Sequence, residues 1–400
     1  TCLNRGCIPT KAMYKNAEVL NSLSSMAKFG IQLSEYSFDM ASVQERKNNI
    51  VNQIRTGTEQ LMKANKIEVI KGDARFIDKN TLEVIQLEGG VAAIKAKNII
   101  IAAGSVCPHM QEPGMDSPKV ISSDEALNLD YVPKKMVIYG GGVLGVEFAG
   151  IFASFGTEVT IIKYRPRLIR SLDEEVSKRL GIFLKKKKIG FDIGVKVKEV
   201  AELEEGLKII TETEKGVKEY FSDLLLVATG RTPDIAGLNL ELAGVDFDDK
   251  GIKVNSYYET TAKGVYAIGD VIGGQMLAHV ASEEGKVCIE NICGVKSTVN
   301  YDVIPSCVFS FPEVAVVGLT EEAAKEKGLD YIAGKAIFAG NGKAMTLEET
   351  DGFIKIIADK KTHRLLGVHI IGPHASDLIS EAALAISQGL SIEQIGATVH

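Results

Sequence analysis

The stretch with the most evident chemistry is the first. Cys2 and Cys7 stand with four residues between them, ahead of a helix expected to run from Lys11 towards Leu23. In a regular helix, positions i and i+5 lie roughly 8.6 Å apart at Cα, beyond the roughly 7 Å that a disulfide spans. A bond between the two thiols therefore requires a distorted turn, and Gly6 is the residue able to take the unusual dihedrals. A strained, accessible disulfide is of the labile, catalytic kind. Two unpaired thiols or a metal-ligand pair are the alternatives. A metal site would want further Cys or His close by, and none occurs before Cys107.

The second run that carries chemistry is 136–149. An apolar strand leads into Gly140, Gly142 and Gly145 in the G-x-G-x-x-G pattern, then Glu147 and a helical pattern through Phe155. Strand, glycines and helix in this order suit a dinucleotide. Gly140 makes the tight turn, Gly142 admits the pyrophosphate to the backbone, and Gly145 permits close helix packing. The phosphates then sit on the helix N-terminus. The following strand, 158–162, ends at Lys163, with Arg165, Arg167 and Arg170 beyond. An NAD site places a carboxylate about 20 residues after the glycines. A lysine in that slot favours a 2′-phosphate, hence NADP, and the alternative is a solvated basic surface.

The elements that must position these residues follow from the apolar pattern. Residues 42–64 read as a charged amphipathic helix in which Val51, Ile54 and Leu61 keep helical spacing, and 67–70 and 81–85 read as strands. Residues 98–105 form a buried strand that closes on Ala103, Gly104 and Ser105, and 224–227 form another that ends at Gly230 and Arg231. The likeness of the two suggests nucleotide domains on one plan. Residues 264–268 deliver Gly269 and Asp270 at a strand's carboxyl end, where open α/β sheets bind ligands, although an Asp there also serves as a turn former. His279 leads a helix to Cys293, with Gly294 as its stop. Cys288 and Cys293 repeat the four-residue gap, but without Gly or Pro between them they read as buried thiols. Cys107 and Cys307 are given no role. From residue 304 strands and a helix over 375–388 read as an antiparallel sheet with helices on one face, an α+β domain suited to a dimer interface.

Bulk properties bound the rest. With 400 residues the chain exceeds a single core. A net charge of −6 gives no basic footprint for nucleic acid. No apolar run approaches the ~18 residues of a membrane span, and a cytoplasmic location is expected. The chain opens on Thr-Cys and closes on His400, so both ends read as cut.

Taken together, the motifs CLNRGCIPTK, GGGVLGVE, VATGRTP and YAIGD resemble those of the flavoprotein disulfide reductases. MLAHVASEEG, IPSCVFSFPEVAVVGLTEE and LLGVHIIGPHASDLISEA resemble the dihydrolipoamide-oxidising branch. The resemblance spans essentially the whole chain. It implies two Rossmann-like nucleotide-binding domains, for FAD and NAD(P), and a C-terminal α+β dimerisation domain. The FAD domain would take 1–117, lacking its first glycine unit, and 240–303. The nicotinamide domain would take 118–239 and the interface domain 304–400. Cys7 would be the flavin-proximal thiol and Cys2 the thiol that exchanges with substrate. Lys11 would lie near the flavin and pair with Glu147. Asp270 would bind the ribityl chain, with Leu277, Ala278 and His279 by the flavin's pyrimidine end. Ala103, Gly104, Ser105, Gly230, Arg231 and Gly269 belong to cofactor-binding motifs of the class, and Ala103 stands where the family more often has Thr. No metal is implied. Family habit points to NAD, whereas Lys163 points to NADP. The expected activity is oxidation of protein-bound dihydrolipoamide by a homodimer, with the lipoyl domain of a 2-oxo acid dehydrogenase complex or of the glycine cleavage system as partner. Another disulfide substrate on the same scaffold, glutathione- or NADP-linked, and a redox-inert flavin-binding paralogue are the alternatives. The FAD pyrophosphate loop should precede Thr1, and the catalytic His-Glu pair should follow His400, which would be the neighbour of the base.

Overall fold

The computed structural model describes residues 1–399; His400, expected beside a catalytic base, lies outside the described residues. Two compact units emerge. One comprises Thr1–Cys7, Asn49–His109 and Gly230–Asn300, and the other Ile8–Asn48, Met110–Thr229 and Tyr301–His400.

In the first unit, Ile99–Ile101 pairs in parallel with Val265–Ala267. Ser105–Val106 pairs antiparallel with Thr232–Pro233. Gly72–Asp78, Thr81–Gln86 and Val91–Lys95 form an antiparallel sheet, of which only the middle strand was expected. Residues 67–70 form no strand, and Ile67 and Val69 are exposed. No strand among the described residues pairs with them, and without a ladder an extended run stays irregular. The strand expected over 98–105 is interrupted at Gly104, whose φ is +82°. The core of this unit gathers Phe76, Ile99, Ile101, Leu240, Val265 and Val271.

The second unit holds a five-stranded parallel sheet in the order Val120–Ile121, Leu224–Val227, Lys135–Tyr139, Glu158–Lys163, Gly190–Ile193. Its central strands Leu224–Val227 and Lys135–Tyr139 are near-continuous buried apolar runs, as expected where both faces are covered. A second, antiparallel sheet runs Ser306–Val308, Glu313–Gly318, Leu365–Gly372, Phe353–Asp359, Tyr331–Ile337. Alternation sorts its two faces. Val368 and Ile370 pack with Ile379 of the helix Ala375–Ser387, while Phe353 and Ile371 join the larger core built around Phe148 and Phe152.

Among the described residues no helix is long and apolar enough to cross a membrane. The helix Met40–Ala64 buries Val51 but leaves Ile54 and Leu61 exposed, at 39% and 57%. Its spacing signalled a helix and not a fully covered face.

Candidate active site

The cysteine motif folds as two helical pieces. Cys2–Arg5 is a single turn, Gly6 breaks it at φ −144° and ψ −115°, and Cys7 opens the helix Cys7–Leu23. The break brings the Cys2 and Cys7 Cα atoms to 4.6 Å and the two are disulfide-bonded. The bond thus obeys the distance limit only because the helix is interrupted. A Cβ on Gly6 would stand 3.0 Å from Cys2 Cα and 3.2 Å from the Thr1 carbonyl oxygen, so a methyl there is tight against two backbone groups. Gly6→Ala should therefore lower stability by about 1–3 kcal/mol, the usual cost of forcing an extra methyl into a closed contact, as read by thermal unfolding of the oxidised protein.

In the same unit, a hydrogen-bonded relay links three of the expected residues. Arg231 Nε donates to Ser105 Oγ at 2.7 Å, and Ser105 Oγ donates to the Asp270 carboxylate. Arg231 also donates to the Ser105 carbonyl and, at 3.5 Å, contacts Cys107 Sγ. Asp270 lies in the turn Gly269–Ile272 that ends the strand Val265–Ala267. Ser105 is buried and Asp270 half-buried, while Ala103 and Gly230 are exposed loop positions. Leu277 caps the helix Ala278–Ile292, so Ala278 and His279 present its first turn, both exposed. A carboxylate can accept from several hydroxyls at once, so the donor chemistry around Asp270 fits a polyhydroxyl chain such as the ribityl of FAD. Sequence reasoning missed Glu284. It is 3% exposed and accepts the Gly269 N–H at 2.7 Å, fixing that turn to the helix. The signal was present: Val280, Glu284 and Val287 share one helical face, and a carboxylate among apolar positions needs a partner.

In the second unit, Lys11 reaches Glu147 bidentately, Nζ donating to Oε1 at 2.9 Å and Oε2 at 2.8 Å. Glu147 is 1% exposed and also accepts the Phe309 N–H at 3.0 Å. The Lys11 ammonium lies 4.4 Å from the centre of the Phe309 ring, a cation–π contact. Tyr14, one turn further on, donates to the Ser310 carbonyl at 3.2 Å and stacks on Phe311 at 4.7 Å. Burial first, then Glu313, pushes its phenol far above the ordinary range. Phe309 and Tyr14 could not be placed from sequence, since one acts through a backbone amide and the other through a packing contact. Cys307 has its thiol pushed up to about 11, chiefly by burial and then by Glu313, so at neutral pH it is a protonated bystander. Cys288 is likewise buried and raised to about 11 by burial. Cys293, expected to be buried, is exposed because the helix ends at Ile292 and leaves it as the cap.

The glycine turn of this unit separates three tasks. A Cβ on Gly140 would meet the Ala228 carbonyl oxygen at 2.1 Å, and one on Gly145 would meet the Gly140 carbonyl oxygen at 1.8 Å, whereas one on Gly142 would meet nothing within 4 Å. Gly140 and Gly145 are thus needed for backbone packing. Gly142, the cap of the helix Val143–Phe155, faces open space at the helix N-terminus. An anionic pyrophosphate fits this cradle. Lys163 ends the neighbouring strand and donates to the Gly141 carbonyl at 3.2 Å. Burial, then the Arg165 guanidinium, holds its ammonium below the usual lysine range. Arg167 does not join it, for its guanidinium is bound to Glu322 at 2.9 Å. Among the described residues no group of three or more His, Cys, Asp or Glu is placed to hold a metal ion.

The chain is similar to known proteins along its whole length. Residues 1–285 match the family described as pyridine nucleotide-disulphide oxidoreductase, and residues 304–400 match its dimerisation domain. Dihydrolipoyl dehydrogenase 1 (mitochondrial) of Arabidopsis thaliana is 40% identical over 404 residues, covering 100% of this chain and 80% of the relative. Dihydrolipoyl dehydrogenase of Geobacillus stearothermophilus is 39% identical, covering 100% and 85%. Leghemoglobin reductase of Vigna unguiculata is also 39% identical, covering 100% and 77%. Among solved structures, the HOCl-induced flavoprotein disulfide reductase of Escherichia coli superposes with a TM-score of 0.89 at 28% identity, covering 100% of this chain and 87% of that one.

Proposed function

The chain belongs to the pyridine nucleotide-disulphide oxidoreductase family, and within it we propose that the protein oxidises dihydrolipoamide, carried on a lipoyl domain, through its Cys2–Cys7 disulfide. The observation that carries this reading is the disulfide itself, closed across a broken turn at the head of a helix.

A dihydrolipoamide thiolate attacks Cys2 Sγ, the Cys2–Cys7 bond breaks, and Cys7 leaves as a thiolate. The second substrate thiol, once deprotonated, attacks the substrate sulfur of the mixed disulfide. That step releases lipoamide with its ring disulfide closed and returns Cys2 as a thiol, so the pair has gained two electrons. The position of Cys7 at the first residue of a helix favours its thiolate. Lys11, one turn on, supplies a fixed positive charge, held in place by Glu147 and Phe309. Asp270, Ser105 and Arg231 would hold FAD, and Gly140, Gly142 and Gly145 the nicotinamide nucleotide. FAD held there would supply the two-electron redox chemistry that links the dithiol to the nucleotide.

Lys163, with Arg165 nearby, supports NADP over NAD, because a cation in that slot attracts a 2′-phosphate and offers no acceptor for a 2′-hydroxyl. Lys163→Glu should shift the ratio of kcat/KM for NADP over NAD by about tenfold or more towards NAD. An unchanged ratio in steady-state assays with both nucleotides would show that Lys163 does not read the ribose. The matched dimerisation domain, together with apolar residues exposed on its edge strand (Ile332 and Ile337), supports a homodimer.

The deciding experiment measures turnover of dihydrolipoamide against that of oxidised glutathione on the purified protein, with gel filtration alongside. Dihydrolipoamide turnover by a dimer is expected. Turnover of glutathione alone, or activity in a monomer, would refute the reading.

A further inference from the structure

Arg167 stands in the basic run after the nucleotide strand, yet its guanidinium is bound to protein groups. Its Nη1 donates to Glu322 Oε1 at 2.9 Å and its Nη2 to the Arg170 carbonyl at 2.6 Å. The guanidinium therefore closes residues 167–170 on themselves and ties them to the helix Glu321–Glu326. What it closes over is unusual. Ile169 has φ +36°, a conformation that a β-branched residue adopts only when its surroundings force it. The forcing contacts are visible. The Ile169 N–H donates to the Gly141 carbonyl at 2.8 Å, the same oxygen that takes Lys163 Nζ, and the Ile169 side chain is 3% exposed between buried Leu168 and Leu172. Arg165 and Arg170 remain exposed.

The tether continues beyond Arg167. Glu322 Oε1 also accepts the N–H of Glu174, the first residue of the helix Glu174–Lys186, at 2.8 Å. In return Asp173, which caps that helix, accepts the N–H of Glu321 at 3.2 Å and binds Lys355 Nζ at 3.0 and 3.1 Å. Two helix N-termini thus exchange carboxylate caps, with the buried Lys355 beneath them, which also pairs with Glu321 and Glu175. Burial alone would raise the Asp173 carboxyl, but Lys355 and the Glu321 amide hold it below the usual range.

We propose that Arg167 is a positioning residue for the nucleotide. Through Glu322 it locks the loop 164–172 onto the glycine turn, so that Lys163, Arg165 and Arg170 meet the ribose end of the cofactor in a fixed arrangement. The proposal rests on the reading of this loop as the ribose-facing one.

The test uses the intact enzyme with dihydrolipoamide saturating. Arg167→Met and Glu322→Gln should each raise the KM for the nucleotide about fivefold, roughly what a partly exposed ion pair is worth, with kcat unchanged. The double variant should be no worse than either single one, as expected for two partners of one contact. The same fivefold weakening should appear in nucleotide binding to the oxidised enzyme measured by titration calorimetry. If Arg167→Met weakens NADP alone while Glu322→Gln has no effect, Arg167 is a direct phosphate ligand and the tether is refuted. If neither variant moves KM, it is refuted too. A wild type that prefers NAD would undo the Lys163 reading and leave the tether standing, since both variants should then raise the KM for NAD by the same factor.

Discussion

Cys7→Ser should abolish dihydrolipoamide oxidation, with kcat falling by more than about 10³-fold, because the lost group forms and breaks a covalent bond in every turnover. A folding defect would look different. The disulfide closes a loop with a sequence separation of 5, and the chain-entropy account of so short a loop gives a stabilisation of only about 2 kcal/mol. Loss of the bond should thus lower the melting temperature by only about 2 °C in a chain of this size and leave the protein folded at 25 °C. Cys2→Ser should be equally inactive, since the substrate thiol has no disulfide to attack. Cys293→Ser, at an exposed helix cap, should retain full activity and serves as the control. Steady-state assays of the three variants, with unfolding curves alongside, decide the matter. If Cys7→Ser keeps more than about a tenth of wild-type turnover, the disulfide is structural.

The sequence made much of this legible because its motifs are local. Gly140, Gly142 and Gly145 sit at fixed offsets between one strand and one helix, so their tasks follow from that single connection. Gly6 is legible for the same reason, since a disulfide over this spacing cannot form without a break. Contacts between distant segments were harder to read. That Glu147 pairs with Lys11 came from family resemblance alone, as 136 positions separate them. The Phe309 amide that completes the Glu147 site has no side-chain signal at all. Arg167 looked like one more cation in a basic run, and only its bond to Glu322, 155 positions away, assigns it differently. Residues 67–70 erred the other way, where alternation suggested a strand that has no partner among the described residues to make it one.

Lys11→Met should destabilise the protein by about 3 kcal/mol, towards the lower end for breaking a buried pair, because a third of the lysine side chain stays accessible while Glu147 is 1% exposed. What remains is a buried carboxylate with the Phe309 amide as its hydrogen-bond donor among the described residues. An unpaired buried charge is what makes the loss large. Lys11→Met combined with Glu147→Gln removes the unpaired charge and keeps an acceptor for the Phe309 amide. It should recover most of the lost stability. Activity should not recover with it, since the positive charge one helical turn beyond Cys7 is still missing. Denaturant unfolding of the single and double variants, paired with dihydrolipoamide turnover, separates the two roles. If turnover returns with stability, Lys11 only holds the helix in place; if stability returns alone, its charge takes part in the redox chemistry.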